Sequence, residues 1–334
     1  MNLTEFPVAR YRLECVAETQ HRLPFYSGSM LRGVFGHALR RTVCMTGQRE
    51  CTGCPLVATC PYTQVFEPTA APDVPRHATL VPYVVEPPPL GRAVVEAGEH
   101  FQFHMVLFGA ALGQLPLVIF AWQRALSRGV SRQRSQSQLL RVVLEDPVDG
   151  DLTVYGDGLA RVLDHSQCVQ IPSVLPASSE LSLVFSTPTR LQHRGEPVRP
   201  SGFRARDLLE TLARRIQRAG QFAGLSDGLP DPHQIGRAAD EVTVEHTLHW
   251  TDWQRWSSRQ RQEMHLGGLT GECVLRGDLA PFAKLLYLGQ WLHLGKNTTF
   301  GMGRYEWMAE GVESRYEPPN AEPAGSHIRA LQHL

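Results

Sequence analysis

Hydrophobic side chains follow two periods along the first half of the chain, and these periods predict the order of its elements. Residues 28–43 carry apolar side chains three or four positions apart, which is typical of a helix with one buried face. Residues 100–108 alternate between apolar and polar side chains, as a half-buried strand does. The resulting order, β-α-β-β-α-β, is the ferredoxin-like pattern. Its other elements are strands at residues 10–19, 79–85 and 139–145 and a helix at residues 115–128.

The second half of the chain repeats this order without evident sequence identity to the first half. The helix at residues 281–293 is apolar on nearly all sides, so we expect it to be buried. The other predicted elements are strands at residues 181–186, 242–250, 265–275 and 300–307 and a helix at residues 203–218. The chain is therefore predicted to have an α+β fold with tandem ferredoxin-like (RRM-like) domains.

Irregular stretches divide the chain into parts. We predict an N-terminal ferredoxin-like domain at residues 1–146, with a cysteine-rich loop inserted at residues 44–60. A linker at residues 147–176 leads to a C-terminal ferredoxin-like domain at residues 177–310. The tail at residues 311–334 is rich in Ala, Glu and Pro, a composition that favours a loose segment.

Charge and composition restrict the function. The 33 Lys and Arg residues equal the 33 Asp and Glu residues in number, so the formal net charge is zero. This excludes a broad cationic surface, and any nucleic-acid site must be a local patch. No apolar run resembles a signal peptide or approaches the roughly 20 residues of a membrane helix. We therefore expect a soluble cytoplasmic protein, in which cysteines favour metal binding or burial over disulfides.

A glycine-rich segment between the last predicted helix and the last strand is the first candidate site. Residues 295–307 read GKNTTFGMGRYEW. Glycine lets the backbone approach a ligand closely, and exposed amides beside cations suit a phosphate group. A tight turn between helix and strand explains the composition equally well. The candidate contacts are Gly295, Lys296, Asn297, Thr298, Thr299, Gly301, Gly303 and Arg304.

The same segment resembles the glycine-rich loop near the C-terminus of the CRISPR RAMP proteins. Residues 256–295, which read WSSRQRQEMHLGGLTGECVLRGDLAPFAKLLYLGQWLHLG, resemble the C-terminal domain of that superfamily's precursor-crRNA processing endoribonucleases, the Cas6 type. LRGVFGHALRR at residues 31–41 and PYTQVFEP at residues 61–68 resemble their N-terminal half. The resemblance implies two RRM-like domains, binding of CRISPR repeat RNA, and metal-independent cleavage that leaves 2′,3′-cyclic phosphate and 5′-hydroxyl ends.

His37 is the main candidate for chemistry. If Phe35 and Leu39 face the core, a rotation of about 100° per residue points His37 away from it. An imidazole titrates near neutrality, so it can take the proton of a 2′-hydroxyl or give one to a leaving 5′-oxygen. The neighbouring Arg40 and Arg41 can stabilise the negative charge of the transition state. A solvated surface histidine is the alternative.

The resemblance assigns further roles around this helix. The family often uses a histidine on its first helix, sometimes with a nearby tyrosine. This implies His37 as the catalytic acid or base and Tyr26 as its helper. From their place beside His37, we predict that Arg40 and Arg41 contact the RNA or its transition state. His265, which precedes a pair of glycines, is a reserve candidate.

Four cysteines form the pattern C-x6-C-x2-C-x5-C within residues 44–60. Four thiolates can close a tetrahedral site, and the central C-x2-C spacing is typical of structural zinc. An iron–sulfur cluster and four free thiols are the alternatives. A zinc ion with four thiolate ligands has no open coordination position, so it would stabilise the loop and not catalyse. The predicted ligands are Cys44, Cys51, Cys54 and Cys60.

Basic patches could add RNA contacts. Arg132 and Arg134 lie in a loop at residues 128–138 that contains no acidic residue, and we predict that both bind RNA. The arginines of the helix at residues 203–218 are diluted by Asp207 and Glu210, so a solvated face is the stronger interpretation there.

Two other functions remain open from the sequence. One is a catalytically inactive RAMP subunit that binds crRNA in an effector complex with other Cas subunits. The other is a metal-cluster protein whose active centre is the cysteine loop at residues 44–60.

Overall fold

The computed structural model describes residues 3–68, 79–91, 93–131, 133–156, 158–173, 175, 179–257 and 262–308, without the side chains of residues 254–257 and 262–265. The predicted tail at residues 311–334 and the predicted RNA contact Arg132 lie outside the described residues. Among the described helices, none combines the length and apolar character needed to cross a lipid bilayer.

The first half of the chain forms a five-stranded antiparallel sheet with helices on one face. Its strand order is β4-β6-β2-β7-β8. The elements are β1 (Glu5–Phe6), β2 (Val8–Ala17), β3 (His21–Leu23), α1 (Gly28–Val43), α2 (Pro61–Val65), β4 (Tyr83–Glu86), β5 (Ala93–Val95), β6 (His100–Phe108), α3 (Leu115–Arg128), β7 (Ser137–Leu144), β8 (Leu152–Tyr155) and β9 (Val169–Gln170). Strands β2, β4, β6 and β7 with helices α1 and α3 give the predicted β-α-β-β-α-β order.

The second half has the same arrangement. Its sheet has the order β13-β15-β10-β16, and β14 also pairs with β15. The elements are β10 (Glu180–Thr189), β11 (Gln192–His193), β12 (Glu196–Pro197), α4 (Ala205–Phe222), α5 (Pro232–Ala238), β13 (Thr243–His246), β14 (His249–Ser257), β15 (Gln262–Arg276), α6 (Ala283–Leu292) and β16 (Glu306–Met308). The predicted tandem ferredoxin-like fold class is confirmed.

Some predicted boundaries were wrong. The segment predicted as an irregular linker contains β8, which extends the first sheet, and β9, which pairs with β1. The predicted strand at residues 242–250 is two strands, β13 and β14. The closing strand begins at Glu306 because residues Thr298–Phe300 form a turn of 3-10 helix. The domain limits as a whole stay a prediction.

Strand β2 explains how the two halves fit together. Side chains alternate across a strand, and Tyr11 and Leu13 lie in a first core beneath α1 and α3. Val8, on the opposite face, lies in a second core that the second half builds. Neighbouring strands contribute Val84, Val106 and Phe108 to that second core. The second half therefore packs against part of the back of the first sheet.

A carboxylate is buried at the edge of this contact. Glu86, at the end of β4, is 1% exposed. Arg10 Nη2 donates to Glu86 Oε2 at 2.5 Å from the same sheet. From the second half, His293 Nε2 lies 2.8 Å from Glu86 Oε1 and Arg304 Nη1 lies 3.9 Å from Glu86 Oε2. We call these four residues the junction cluster. The side chain of His293 is fully buried.

The junction cluster keeps Glu86 ionised. Burial would raise the pKa of this carboxyl, but the charges of Arg10 and Arg304 and the contact with His293 outweigh burial. The pKa of Glu86 therefore lies well below its usual value. Its stabilising effect is fully present above the pKa of an unfolded Glu, about 4.3, and is lost as the pH falls through the lower folded pKa.

Substitution Glu86→Ala leaves the buried charge of Arg10 without its nearest counter-charge. We expect a loss of about 3–5 kcal/mol in the free energy of unfolding at pH 7, measured by urea denaturation of the full chain. The difference from wild type should shrink as the pH falls from about 4.3 towards the lower folded pKa of Glu86, because the unfolded chain then binds a proton at Glu86 that the folded chain does not.

The matched control is Glu245→Ala, which removes an exposed carboxylate paired with Arg276 on the surface. Its denaturation midpoint should stay close to that of wild type. A midpoint for Glu86→Ala that matches this control would mean that the junction cluster does not stabilise the fold.

Candidate nucleic-acid interface

Helix α1 begins in direct contact with the glycine-rich segment. The Tyr26 hydroxyl donates to the Phe300 carbonyl oxygen at 2.7 Å. A Cβ atom on Gly28 would lie 2.0 Å from that same oxygen, so only glycine fits at the first residue of the helix. The start of α1 is thereby held at a fixed place against the second half.

The far part of α1 presents His37 to solvent. Phe35 and Leu39 are buried in the first core, and His37 is exposed on the opposite side, as the periodicity predicted. Arg41 is exposed one helical turn later, at the i+4 position that shares a face with His37. Gly33, one turn earlier, has no atom within 4 Å of the place where a Cβ would stand. The backbone in front of His37 is therefore open to a ligand.

The predicted helper Tyr26 does not lie beside His37. Its ring is 4% exposed, and burial together with the charge of Glu86 raises its pKa well above the usual value. His37 is nine positions after Gly28 in the helix, so the two residues are about 13 Å apart along the helix axis. Tyr26 fixes the start of the helix, and this corrects its predicted part in proton transfer.

Arg40 contacts the cysteine loop. Its Nη2 donates to the carbonyl oxygens of Gln48 at 2.5 Å and Arg49 at 2.7 Å. Nη2 of Arg40 thus holds the cysteine loop against the end of α1. The RNA contact at Arg40 stays a prediction, as does that at the exposed Arg41.

The glycine-rich segment divides into two parts. In its second part the amides serve the fold: Gly301 donates to the Thr298 carbonyl, Gly303 to that of Pro188, and Arg304 to the Thr187 hydroxyl. Gly303 has a φ of 80°, and a Cβ there would lie 1.8 Å from the Leu294 carbonyl oxygen. The predicted phosphate contacts at Gly301 and Gly303 are therefore corrected to close backbone packing, because both glycines are buried.

The first part of the segment, residues 295–299, lines a cavity of about 600 Å³. The opposite walls come from helix α4, from the turn at residues 190–195 and from residues 79–81 of the first half. No carboxylate is among the described residues that line it. We call it the basic cavity after its six cationic side chains, Arg190, Arg194, Arg214, Arg215, Arg218 and Lys296.

The basic cavity contains cationic residues that the sequence pattern does not favour as RNA contacts. The pattern of α4 fits a solvated helix face, yet three of its arginines line the cavity together with Lys296. Sequence analysis did not identify Arg190 and Arg194 as candidates. The pattern that could have indicated them is a pair of arginines at the short β11–β12 hairpin, directly after strand β10. The predicted contact Arg134 is exposed in another turn and does not line the cavity. The reserve candidate His265 has a side chain outside the described residues.

The four cysteines of the loop at residues 44–60 converge without forming a finished metal site. All four line one cavity of about 170 Å³, and the Thr46 hydroxyl lies 3.5 Å from Cys54 Sγ and 4.0 Å from Cys44 Sγ. Within the described part of the chain, no three His, Cys, Asp or Glu side chains are arranged to hold a metal ion. A tetrahedral zinc would need Sγ atoms about 2.3 Å from the ion. The zinc site stays a prediction.

The chain has two ferredoxin-like halves that meet at a buried carboxylate. It also has a basic cavity and an exposed histidine on the first helix. Residues 183–305 match the family of the CRISPR-associated endoribonuclease Cas6, and residues 6–167 match a family described as an N-terminal domain. The resemblance inferred from the sequence is confirmed, and residues 183–305 form a Cas6-type domain.

Individual proteins are similar to this chain over most of their length. An uncharacterized protein of Archaeoglobus fulgidus is 26% identical over 288 residues, which covers 85% of this chain and 92% of that protein. A Cas6 product complex superimposes with a TM-score of 0.54 at 18% identity, covering 90% of this chain and 99% of that chain. Cas6 of Thermus thermophilus gives a TM-score of 0.50 at 16% identity, covering 92% and 100%. At these identities, the solved structures support the fold.

Metal content tests the cysteine loop. If it binds structural zinc, the purified full chain should contain about one zinc per molecule and be colourless, and Cys51→Ser should lose the metal. Cys168→Ser, which removes a half-buried thiol outside the loop, should retain it. A brown protein with visible absorbance would indicate an iron–sulfur cluster instead, and a metal-free wild type would mean four free thiols.

Proposed function

We propose that this chain is an endoribonuclease that processes precursor CRISPR RNA by cutting within the repeats. The observation that carries the proposal is the exposed face of helix α1 inside a chain with a Cas6-type domain. On that face, Gly33, His37 and Arg41 follow one another at intervals of one helical turn. An acid–base group, a cation and an open stretch of backbone are thereby available to one strand of RNA.

Cleavage proceeds by attack of a 2′-hydroxyl on the adjacent phosphorus. The 2′-oxygen bonds to phosphorus as its proton leaves, and the bond from phosphorus to the 5′-oxygen breaks as that oxygen gains a proton. The products carry a 2′,3′-cyclic phosphate and a 5′-hydroxyl. His37 accepts the first proton or supplies the second, since imidazole exchanges protons near neutral pH. Arg41 stabilises the additional negative charge of the transition state. His37 carries one of these two proton transfers and water carries the other, so the proposed reaction requires no metal ion.

Binding is assigned to the basic cavity. The net charge of the chain is zero, so attraction for RNA must come from a local concentration of cations. Such a concentration exists beside the first part of the glycine-rich segment, where Lys296 is exposed. Arginines bind phosphate through paired donors, which suits a nucleic-acid backbone.

Substitution His37→Ala tests the chemistry. With protein in excess over repeat RNA and EDTA present, we expect the single-turnover cleavage rate to fall by about 10²-fold or more. The affinity for RNA should change little, because the cationic cavity is intact. His233→Ala, which removes an exposed histidine on α5, is the matched control and should cut at the wild-type rate.

Each result of this assay has a defined meaning. Uncut RNA with wild-type protein in excess would reject the nuclease and favour a crRNA-binding RAMP subunit of an effector complex. Wild-type cleavage that EDTA abolishes would reject the metal-independent mechanism. A normal rate for His37→Ala would remove His37 from the reaction.

Substitution Tyr26→Phe separates positioning from catalysis. It removes the donor to the Phe300 carbonyl and leaves the ring in place, so we expect a loss of about 1 kcal/mol in stability. The cleavage rate at saturating protein should stay within about twofold of wild type, because the hydroxyl does not reach His37. A rate about 100-fold lower at unchanged stability would return Tyr26 to the catalytic group.

A further inference from the structure

We propose that Arg215 and Thr79 form an inner subsite of the basic cavity that holds one phosphodiester of an RNA strand, away from the phosphate that is cut. The inference rests on the proposed function and adds a binding position to it. Two polar atoms without partners, one from each half of the chain, lead to this site.

Arg215 lies on α4 with only part of its guanidinium satisfied. Its Nε donates to the Leu292 carbonyl oxygen at 3.2 Å. Its Nη2 is shielded from solvent and has no hydrogen-bond partner. Burial, with the charge of Arg218 nearby, lowers the pKa of Arg215 to about 10, so it is still cationic at neutral pH. A buried cationic donor without a partner is costly, and an anion in the cavity would remove that cost.

Thr79 supplies the second unpartnered atom. Its Oγ1 is buried without a hydrogen-bond partner, and Thr79 lines the same cavity from the first half of the chain. Six buried side-chain polar atoms in the described part of the chain have no hydrogen-bond partner, and two of them belong to residues that line this one cavity. A guanidinium and a hydroxyl are the donors that a phosphate group accepts from.

The surrounding charge selects an anion. Of the six cations in the cavity walls, Arg214 is the one with a carboxylate partner among the described residues, through Glu210 at 2.6 Å. The cavity volume is in the range of sites for small ligands, so it admits about one nucleotide. The described lining residues include no aromatic ring on which a base could stack. The subsite therefore recognises the backbone, and binding there should depend on salt and not on the base.

The subsite and the proposed cutting face lie on different elements. No residue of helix α1 is among the described residues that line the basic cavity. The phosphate held by Arg215 is therefore not the phosphate next to His37. It follows that this subsite contributes to affinity and to retention of the cut RNA, and not to the rate of the bond-breaking step.

Substitution Arg215→Gln is the test. Using a repeat RNA that carries a single 2′-deoxy substitution at the cut site, we expect Kd to rise about tenfold and the slope of log Kd against log salt to fall by about one. Thr79→Val should raise Kd about threefold. With all-ribose RNA, the protein concentration that gives half the maximal cutting rate should rise in both variants by the same factor as Kd. Urea denaturation checks that both variants are folded.

The matched control is Arg206→Gln, a change on the same helix outside the cavity, where Arg206 pairs with Asp240 and Glu210. It should keep the wild-type Kd and salt slope. If Arg215→Gln fails to fold, Arg218→Gln replaces it, because Arg218 is an exposed cation in the same wall. A Kd and salt slope equal to those of the control would overturn the subsite. A slower cut at unchanged Kd would overturn the separation from the cutting face.

These outcomes are distinct from failure of the proposed function. If the wild type binds RNA but does not cut it, the nuclease is rejected, while a weaker Kd for Arg215→Gln still supports the subsite. If the wild type cuts and Arg215→Gln binds normally, the nuclease stands and the subsite is rejected.

Discussion

The buried carboxylate of Glu86 is the contact on which the arrangement of the two halves depends. It accepts from Arg10 in the first sheet and contacts His293, which precedes the glycine-rich segment of the second half, and Arg304, which lies within that segment. A single charge is thereby shared by two domains that would each be a complete ferredoxin-like unit without it. Because the cations hold its pKa low, the contact stays charged at neutral pH. A buried ion pair of this kind fixes one relative placement, since any other would leave a charge in the interior unpaired.

This placement determines what the glycine-rich segment does. His293 and Arg304 contact Glu86 from either side of Phe300, whose carbonyl oxygen accepts from the Tyr26 hydroxyl and lies against the first residue of α1. The second part requires glycines because neighbouring backbone carbonyl groups leave no room for a Cβ atom at Gly301 and Gly303. Its first part faces the basic cavity through Lys296. One short segment therefore positions the first helix and contributes a wall to the basic cavity.

The sequence predicted correctly those structural features that a local pattern of residues determines. The helical spacing of Phe35 and Leu39 gave the buried face of α1 and the exposure of His37, and both β-α-β-β-α-β orders were read from alternation. It failed where the outcome depends on contacts between distant residues. Nothing local reveals that Arg40 would be used by the cysteine loop, or that Tyr26 would bond to a carbonyl 274 positions away.

The same limit explains the ranking of the basic residues. On α4, Glu210 is one turn from both Arg206 and Arg214 and pairs with both, as a solvated helix face would predict. Arg215 differs because of its neighbours in space: it lies against Phe108 from the first half and beside the end of α6. A neutral chain can therefore have a strongly basic cavity, since its acidic residues pair on the outer surface of α4 and at the junction. The positions of the paired carboxylates determine which cations in the cavity have no counter-charge, and these positions depend on the fold and not on composition.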